Sequence, residues 1–363
     1  MLSDRAQQGR LRVVLLSLEP WDEVWRRNQH LSAQLVRGDV VSAIDYLEPP
    51  MLRGRPGVVR EPLYGVRAVP LTLHLPKRLG GLVELGWRLR HGILREADVL
   101  WVNDPAVGVH CLRRGQPVLY DVTDDWRSYD FPPRIRRRIM HAEDLLARRA
   151  RTVVCSVELQ DRWMSRYGIE AAVVHNGVDA ALWREPEPRR YAGDSPHVGY
   201  VGTLQPERLD VGLVLRVASH QSVGTMHLIG PDALDEASRT QLRKHPKVRL
   251  HPPVRSRDVP SWTVGLDVLL SPHVVTPFTL SLDAIKSYEY LASGQPIVAT
   301  PTSGFQLLVG RPGVHIVQAS GFADAIPRAL LGPRPGRLLD ELSWEARAKL
   351  FAQNLLLASQ VTG

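Results

Sequence analysis

Asp283-Ala284-Ile285-Lys286-Ser287-Tyr288-Glu289-Tyr290-Leu291-Ala292-Ser293-Gly294-Gln295-Pro296-Ile297-Val298-Ala299-Thr300 reads as a helix, closed by Gly294, that runs directly into a strand. Ile285, Tyr288, Leu291 and Ala292 recur at helical spacing and form one apolar stripe. The run that follows is short and continuously apolar, as expected of a parallel strand buried on both faces. Lys286 and Glu289 stand three apart on a neighbouring face of the same helix. A lysine there can hold a diphosphate, and a carboxylate one turn on can accept hydrogen bonds from two vicinal hydroxyls. By spacing alone the two read better as an ordinary surface pair stabilising the helix by a few tenths of a kcal/mol.

The same alternation extends in both directions. Upstream, the second half contains strands at His197–Val201, Thr225–Ile229, Val248–His251 and Asp267–Ser271, with Val314–Val317 downstream. Its helices are Arg208–Ser219, Leu234–His245, Asp283–Leu291 and Phe322–Leu331, and a last helical stretch covers Leu338–Leu357. The first half repeats the rhythm with strands at Leu11–Leu18, Asp39–Ile44, Val58–Val69, Val99–Val102, Pro117–Asp121 and Thr152–Cys155. Between them lie helices at Val24–Val36, Leu82–Glu96, Pro133–Arg149 and Val157–Tyr167. Around residue 180 a turn sequence, Asn176-Gly177-Val178-Asp179, leads into a proline- and charge-rich linker from Trp183 to Pro196. The expected architecture is α/β: two successive Rossmann-like parallel-sheet domains, residues 1–183 and 184–336, and a final segment 337–363.

Composition agrees with a globular protein. Of 363 residues, 44% are hydrophobic and 23% charged, which suffices for two cores and argues against disorder. No apolar run reaches the roughly 18–20 residues of a spanning helix, and Val13–Leu18 is too short for a signal-peptide core. Cys111 and Cys155 give neither a disulfide framework nor metal-ligand spacing, so a reduced, cytoplasmic protein is expected. The net charge of +8 suits anionic partners, though dispersed basic residues without an aromatic-basic motif argue against nucleic acid. The thirteen histidines show no metal spacing, and no Asp-x-Asp occurs, so no metal is expected.

Ligands of open α/β sheets bind beyond the carboxyl ends of the strands. One such end is Val198-Gly199-Tyr200-Val201-Gly202-Thr203-Leu204-Gln205-Pro206-Glu207-Arg208. Gly202 lets a ligand approach the backbone, a helix is expected to begin near Pro206, and Arg208 adds a fixed cation. Only two glycines, three apart, are present, which disfavours a dinucleotide site. A second end is Tyr120-Asp121-Val122-Thr123-Asp124-Asp125-Trp126, whose crowded carboxylates call for water, a cation or a polyhydroxyl ligand, or else cap a helix. A third is the first loop, Glu19 to Asn28, where Trp21, Asp22 and Arg27 are candidates for acceptor contact. Asn103 and Asp104 follow another strand end. Arg134, Arg136, Arg137 and Arg138, interleaved with Ile135, Ile139 and Met140, form a basic amphipathic run that could dock on an anionic membrane or face solvent.

The segment Lys286–Thr300 resembles the Lys-x-x-Glu-Tyr-Leu-Ala-x-Gly-x-Pro-Val-Val-x-Thr stretch of family-4 GT-B glycosyltransferases of bacteria, particularly a teichuronic-acid-biosynthesis-like branch. Val174-His175-Asn176-Gly177-Val178-Asp179, Gly199-Tyr200-Val201-Gly202, Leu228-Ile229-Gly230-Pro231 and Tyr120–Trp126 resemble further landmarks of that family, in order. The resemblance implies two domains facing a cleft, with the final helix crossing back to the first. It implies transfer of a sugar from a nucleoside-diphosphate sugar to a hydroxyl acceptor, with retention and with no cofactor beyond that donor. Gly202, Thr203, Arg208, Asp283, Lys286 and Glu289 would bind the donor, Arg208 and Lys286 the diphosphate and Glu289 the ribose. Asp124 would be the carboxylate near the anomeric centre, and Trp21, Asp22, Arg27, Asp121 and Trp126 would line the acceptor side. The acceptor would be a carbohydrate, a lipid-linked sugar or a secondary metabolite. Peripheral contact at the inner membrane face rests on the Arg134–Arg138 run alone, for which a solvated face is the slightly favoured reading. Two positions depart from the pattern: Ser281 replaces the first glutamate of Glu-x7-Glu, where Asp283 could substitute, and Thr203 replaces a loop arginine. A nucleotide-sugar epimerase of similar two-domain fold and a non-catalytic sugar-nucleotide-binding homologue are the alternatives.

Overall fold

The computed structural model describes residues 9–52, 57–337 and 339–360. The chain divides into two compact units, Met1–His175 with Trp344–Gly363, and Asn176–Ser343. The first contains β1 (Leu11–Leu16), α1 (Arg27–Arg37), β2 (Val41–Leu47), β3 (Met51–Leu52), β4 (Arg60–Leu63), β5 (Val66–Val69), β6 (Thr72–Leu73), α2 (Gly81–His91), β7 (Val99–Val102), α3 (Pro105–Cys111), β8 (Val118–Val122), α4 (Pro133–Arg149), β9 (Arg151–Val154), α5 (Val157–Tyr167) and β10 (Ala172–Val173). The second contains β11 (His197–Val201), α6 (Val211–Ser219), β12 (Thr225–Ile229), α7 (Glu236–Lys244), β13 (Val248–His251), α8 (Val259–Val264), β14 (Val268–Ser271), α9 (Pro277–Ser281), α10 (Ile285–Ser293), β15 (Ile297–Ala299), α11 (Ser303–Gln306), β16 (Val314–Ile316) and α12 (Phe322–Leu331). The last helix, α13 (Trp344–Ser359), returns to the first unit.

The first sheet runs β10-β9-β8-β7-β1-β2-β5-β4, parallel except for the antiparallel edge pair β4/β5. Its strand order reverses between β1 and β7, the topological switch point where such sheets leave a crevice. The continuous burial of Val99–Val102 and Val118–Val122 follows from helices covering both faces. α13 lies against α1 and β8, stacking Trp344 on His30 at 4.8 Å and setting Phe351 against Trp101 at 4.5 Å. The single strand expected at Val58–Val69 is two strands, because Gly65 turns the chain at φ +80°, a conformation that favours glycine.

The second sheet runs β13-β12-β11-β14-β15-β16, all parallel, with its switch point between β11 and β14. The helix expected from Arg208 begins at Val211 instead. Asp210 accepts from the Leu213 amide at 2.8 Å and so fixes the N-cap there. Residues 205–209 form a turn, Leu209 donating to the Gln205 carbonyl at 2.8 Å. The last helix begins at Trp344 rather than Leu338, and Leu338 itself lies outside the described residues. The short helices α3 and α8 were not expected.

Candidate functional site

The switch point of the second unit gathers residues from three elements. Gly202 follows β11, Pro272 and His273 follow β14, and Lys286 stands in the first turn of α10. Tyr290, one turn beyond Lys286, fixes the helix: its hydroxyl accepts from the Val201 amide and donates to the Leu270 carbonyl, both at 3.0 Å. The two strand ends flanking the crevice are thereby tied to α10. Gly202 has φ +149°, and a Cβ there would come within 3.0 Å of Lys286 Nζ. Gly230, at the end of β12, has φ +141°, and a Cβ there would meet the Gly202 carbonyl oxygen at 2.3 Å. Both positions need glycine for conformation and for close approach.

Lys286 Nζ donates to the Tyr200 hydroxyl at 2.7 Å, lies 3.3 Å from His273 Nε2, and sits 4.4 Å from the Tyr200 ring centroid. Tyr200 in turn donates to the Thr203 carbonyl at 3.1 Å, which orders the loop after β11. His273 is buried, and burial first, then the charges of Lys286 and Arg208, hold its imidazole well below the usual range. A neutral ring facing an ammonium presents Nε2 as acceptor, leaving the proton on Nδ1. Its loop is held by Thr300, whose hydroxyl accepts from the His273 amide at 3.1 Å and donates to its carbonyl at 2.8 Å. Arg208 lies 5.3 Å from the Phe278 ring centroid, and its carbonyl accepts from the Val274 amide at 2.8 Å. Neither Lys286 nor Arg208 forms an ion pair with a described residue.

Glu289 is half-buried, and burial raises its carboxyl to about 7 against the opposing pull of Lys286. Ser281 is buried and donates to the Phe278 carbonyl at 2.7 Å. Both oxygens of Asp283 are engaged: one accepts from the Asn176 amide at 2.5 Å, the other from the Tyr288 hydroxyl at 2.6 Å. Thr203 is exposed. Gly202 and Thr203 at the end of β11 thus lie beside Lys286, Lys286 and Arg208 both act on His273, Glu289 is a turn away on α10, and Asp283 holds Asn176. Tyr200, His273 and Tyr290 were not singled out from the sequence. The signal for His273 was its place just after a strand end, but its weight depends on β14 lying beside β11.

The first unit's switch point is organised differently. Arg27, at the start of α1, makes a bidentate bond to Asp121 of β8, Nε and Nη2 both at 3.0 Å, and both side chains are buried. Asn103, after β7, accepts from Asn28 at 2.8 Å and donates to the Asp121 carbonyl at 3.3 Å. Asp104 caps α3 through the Ala106 and Val107 amides. Asp125 bonds Arg162 and Ser128; burial alone would raise its carboxyl, but these two partners hold it below the ordinary value. Arg127 bridges Glu143, Asp144 and Tyr167. Asp124 is half-buried and accepts from Thr123 at 3.1 Å. Glu19 is pushed up by burial, opposed by Arg26, with Asp124 and Asp22 adding to the rise. Trp21 is buried against Tyr46, Asp22 is exposed, and Trp126 is half-buried. Among the described residues no group of three His, Cys, Asp or Glu side chains could hold a metal ion, and no helix is long and apolar enough to cross a membrane.

Residues 195–331 match the family described as Glycosyl transferases group 1. The putative teichuronic acid biosynthesis glycosyltransferase TuaH of Bacillus subtilis (strain 168) is 25% identical over 222 residues. The match takes in 56% of this chain and 56% of that protein, so the chain spans a little over half the length of this curated relative. Among solved structures, a sucrose-phosphate synthase from Thermosynechococcus elongatus superposes with a TM-score of 0.69 at 16% identity, covering 97% of this chain and 95% of the other. Anabaena HepE in complex with UDP and glucose gives 0.63 at 16% identity, covering 97% and 96%. These likenesses establish the fold as the two-unit α/β fold of GT-B glycosyltransferases.

Proposed function

We propose that this chain is a glycosyltransferase that moves a sugar from a nucleoside-diphosphate sugar to a hydroxyl acceptor. The observation that carries the reading is the pair of cations, Lys286 and Arg208, without carboxylate partners among the described residues at the switch point of a group 1 domain. An anionic diphosphate complements these two cations, and HepE, of like fold, has been solved with UDP and glucose. In the proposed reaction the bond from the anomeric carbon to the diphosphate breaks, and a bond to the acceptor oxygen forms. The acceptor proton passes to a diphosphate oxygen, and Lys286 and Arg208 offset the leaving charge in place of a metal. Retention at the anomeric carbon, which the family resemblance implies, belongs to the proposal.

Gly202 and Thr203 would admit the donor to the backbone, Glu289 would accept from the ribose hydroxyls, and Asp283 would shape the site through Asn176. In the first unit Asp124 is assigned to the reacting sugar, with Trp126 and Asp22 on the acceptor side. Trp21, Arg27 and Asp121 would support that side from below. The acceptor would be a carbohydrate, a lipid-linked sugar or a secondary metabolite.

Thermal-shift measurements with UDP-, GDP- and dTDP-sugars, followed by assay of released nucleoside diphosphate, test the reading. A donor at about 100 times its dissociation constant adds about 2.7 kcal/mol of stability. Binding and release that both fall in Lys286→Ala and Glu289→Ala support the site, whereas undiminished donor affinity in both sinks it. Turnover without diphosphate release would indicate an epimerase. Binding without turnover across acceptor classes would indicate a non-catalytic binder.

A further inference from the structure

Leu79, Val83 and Trp87 follow one another at four-residue spacing along α2 and the turn before it, and are 64%, 55% and 56% exposed. The opposite face of α2 is buried through Leu82, Leu85 and Leu89. An amphipathic helix normally turns polar side chains outward, so an outward row containing an indole is unexplained by the core of this unit.

Cations surround that row. Residues 77–91 contain Lys77, Arg78, Arg88 and Arg90 against the single acid Glu84, which Arg88 bonds at 2.6 Å. Beyond α3, the first turns of α4 present Arg134, Arg136 and Arg137 to solvent, with Ile135 48% exposed among them. The two helices belong to one surface. α2 closes on α3 so tightly that a Cβ at Gly86 would meet the His110 carbonyl oxygen at 2.3 Å. Lys77 and Arg138 both act on Asp104, and Arg90 and Arg138 both act on His110. Lys77, Arg78, Arg90, Arg134, Arg137 and Arg138 form no ion pair with a described residue.

We propose that the face made by α2 and the start of α4 docks on an anionic lipid bilayer, with Leu79, Val83 and Trp87 entering the headgroup–acyl boundary while Lys77 and the Arg134–Arg138 run meet lipid phosphates. A polyanion such as nucleic acid would satisfy the cations and leave the apolar row in water. A bilayer surface takes up both, and the amphipathic indole suits its boundary. The inference stands independently of the sugar-transfer reading, since it uses neither Lys286 nor Glu289.

Co-sedimentation of the full chain with vesicles tests it. The protein should sediment with mixed phosphatidylglycerol–phosphatidylcholine vesicles, less so as salt rises, and not with phosphatidylcholine alone. Arg134→Gln and Arg137→Gln should each weaken partitioning about fivefold, and Trp87→Ser with Val83→Ser about tenfold or more. All these side chains are exposed, so melting temperature and donor binding should stay at the wild-type level. Absence of sedimentation with the anionic vesicles, or indifference to both sets of substitutions, would overturn the proposal. So would binding to a DNA duplex of equal strength that falls with the arginine variants but not with Trp87→Ser, which would make the face a nucleic-acid surface.

Discussion

The two switch points are built alike and charged differently. In the first unit, three arginines at the strand ends meet acids of their own chain: Arg27 meets Asp121, Arg162 meets Asp125, and Arg127 meets Glu143 and Asp144. In the second unit, Lys286 and Arg208 meet a phenol, an imidazole and an aromatic ring, none of which neutralises them. A buried charge is tolerated when paired, so the first arrangement is complete without a ligand. The second holds positive charge ready for an anion from outside. The same topology thus yields a scaffold on one side and a receptor on the other.

The contrast breaks most severely at Arg27. Arg27→Ala leaves the Asp121 carboxylate buried without its bidentate partner, and should cost about 3–5 kcal/mol of stability in urea unfolding. Lys286→Ala should do the reverse. Its melting temperature should hold, while transfer from a nucleoside-diphosphate sugar falls by roughly two to three orders of magnitude, as when one preorganised charge-stabilising group is removed. If Lys286→Ala unfolded the protein and left turnover intact, the division into scaffold and receptor would collapse.

Glu289 gives an effect on the order of 2 kcal/mol and has a definite sign. Its folded carboxyl lies at about 7, above the ordinary 4.5, because burial disfavours the anion. The folded state therefore binds the proton more tightly than the unfolded chain. Its stabilising contribution is fully present below about 4.5 and is lost as pH rises through about 7. Glu289→Gln should flatten this part of the stability-versus-pH curve relative to wild type. If the carboxylate accepts from a ribose, nucleotide affinity in the wild type should rise over the same interval, and calorimetry at pH 6 and pH 8 checks it. Identical pH slopes in variant and wild type would remove Glu289 from the account.

Local patterns made the architecture legible. Val99–Val102, His197–Val201 and Thr225–Ile229 are strands as read, since parallel strands covered on both faces are largely apolar and buried along their length. Val248–His251, also a strand as read, is instead an edge strand that alternates Val248 and Leu250 with Arg249 and His251. Pro133–Arg149 and Phe322–Leu331 are helices with the expected bounds, their apolar positions recurring at helical spacing. α3 was missed although Asp104-Pro105 is a start signal, since its seven residues are too few to show a period. Arg208 lay in view, but its helix start did not, because Asp210 competes for the cap. The pairing of Arg27 with Asp121 joins positions 94 apart, and the role of His273 depends on strand order; neither is a local property. Lys286 was legible through the motif around it, whereas its neutral neighbours were not.

The smallest effect bears on how the receptor side is held in place without ion pairs. Tyr290 does there what Arg27 does in the first unit: it fixes a helix to the strand ends, but through a neutral hydroxyl. Tyr290→Phe keeps the ring and its contact with Phe305 at 6.1 Å while removing both bonds. The Val201 amide then loses its acceptor in a buried place, a cost of about 1–3 kcal/mol, below that expected for Arg27→Ala. Because α10 carries Lys286, a loosened helix should also raise the KM for the donor more than it lowers kcat, since ground-state and transition-state contacts to the diphosphate weaken together. A Tyr290→Phe variant as unstable as Arg27→Ala would mean that the neutral anchor matters as much as the charged one. In that case unpaired charge, rather than the strength of the scaffold, would be the only difference between the two crevices.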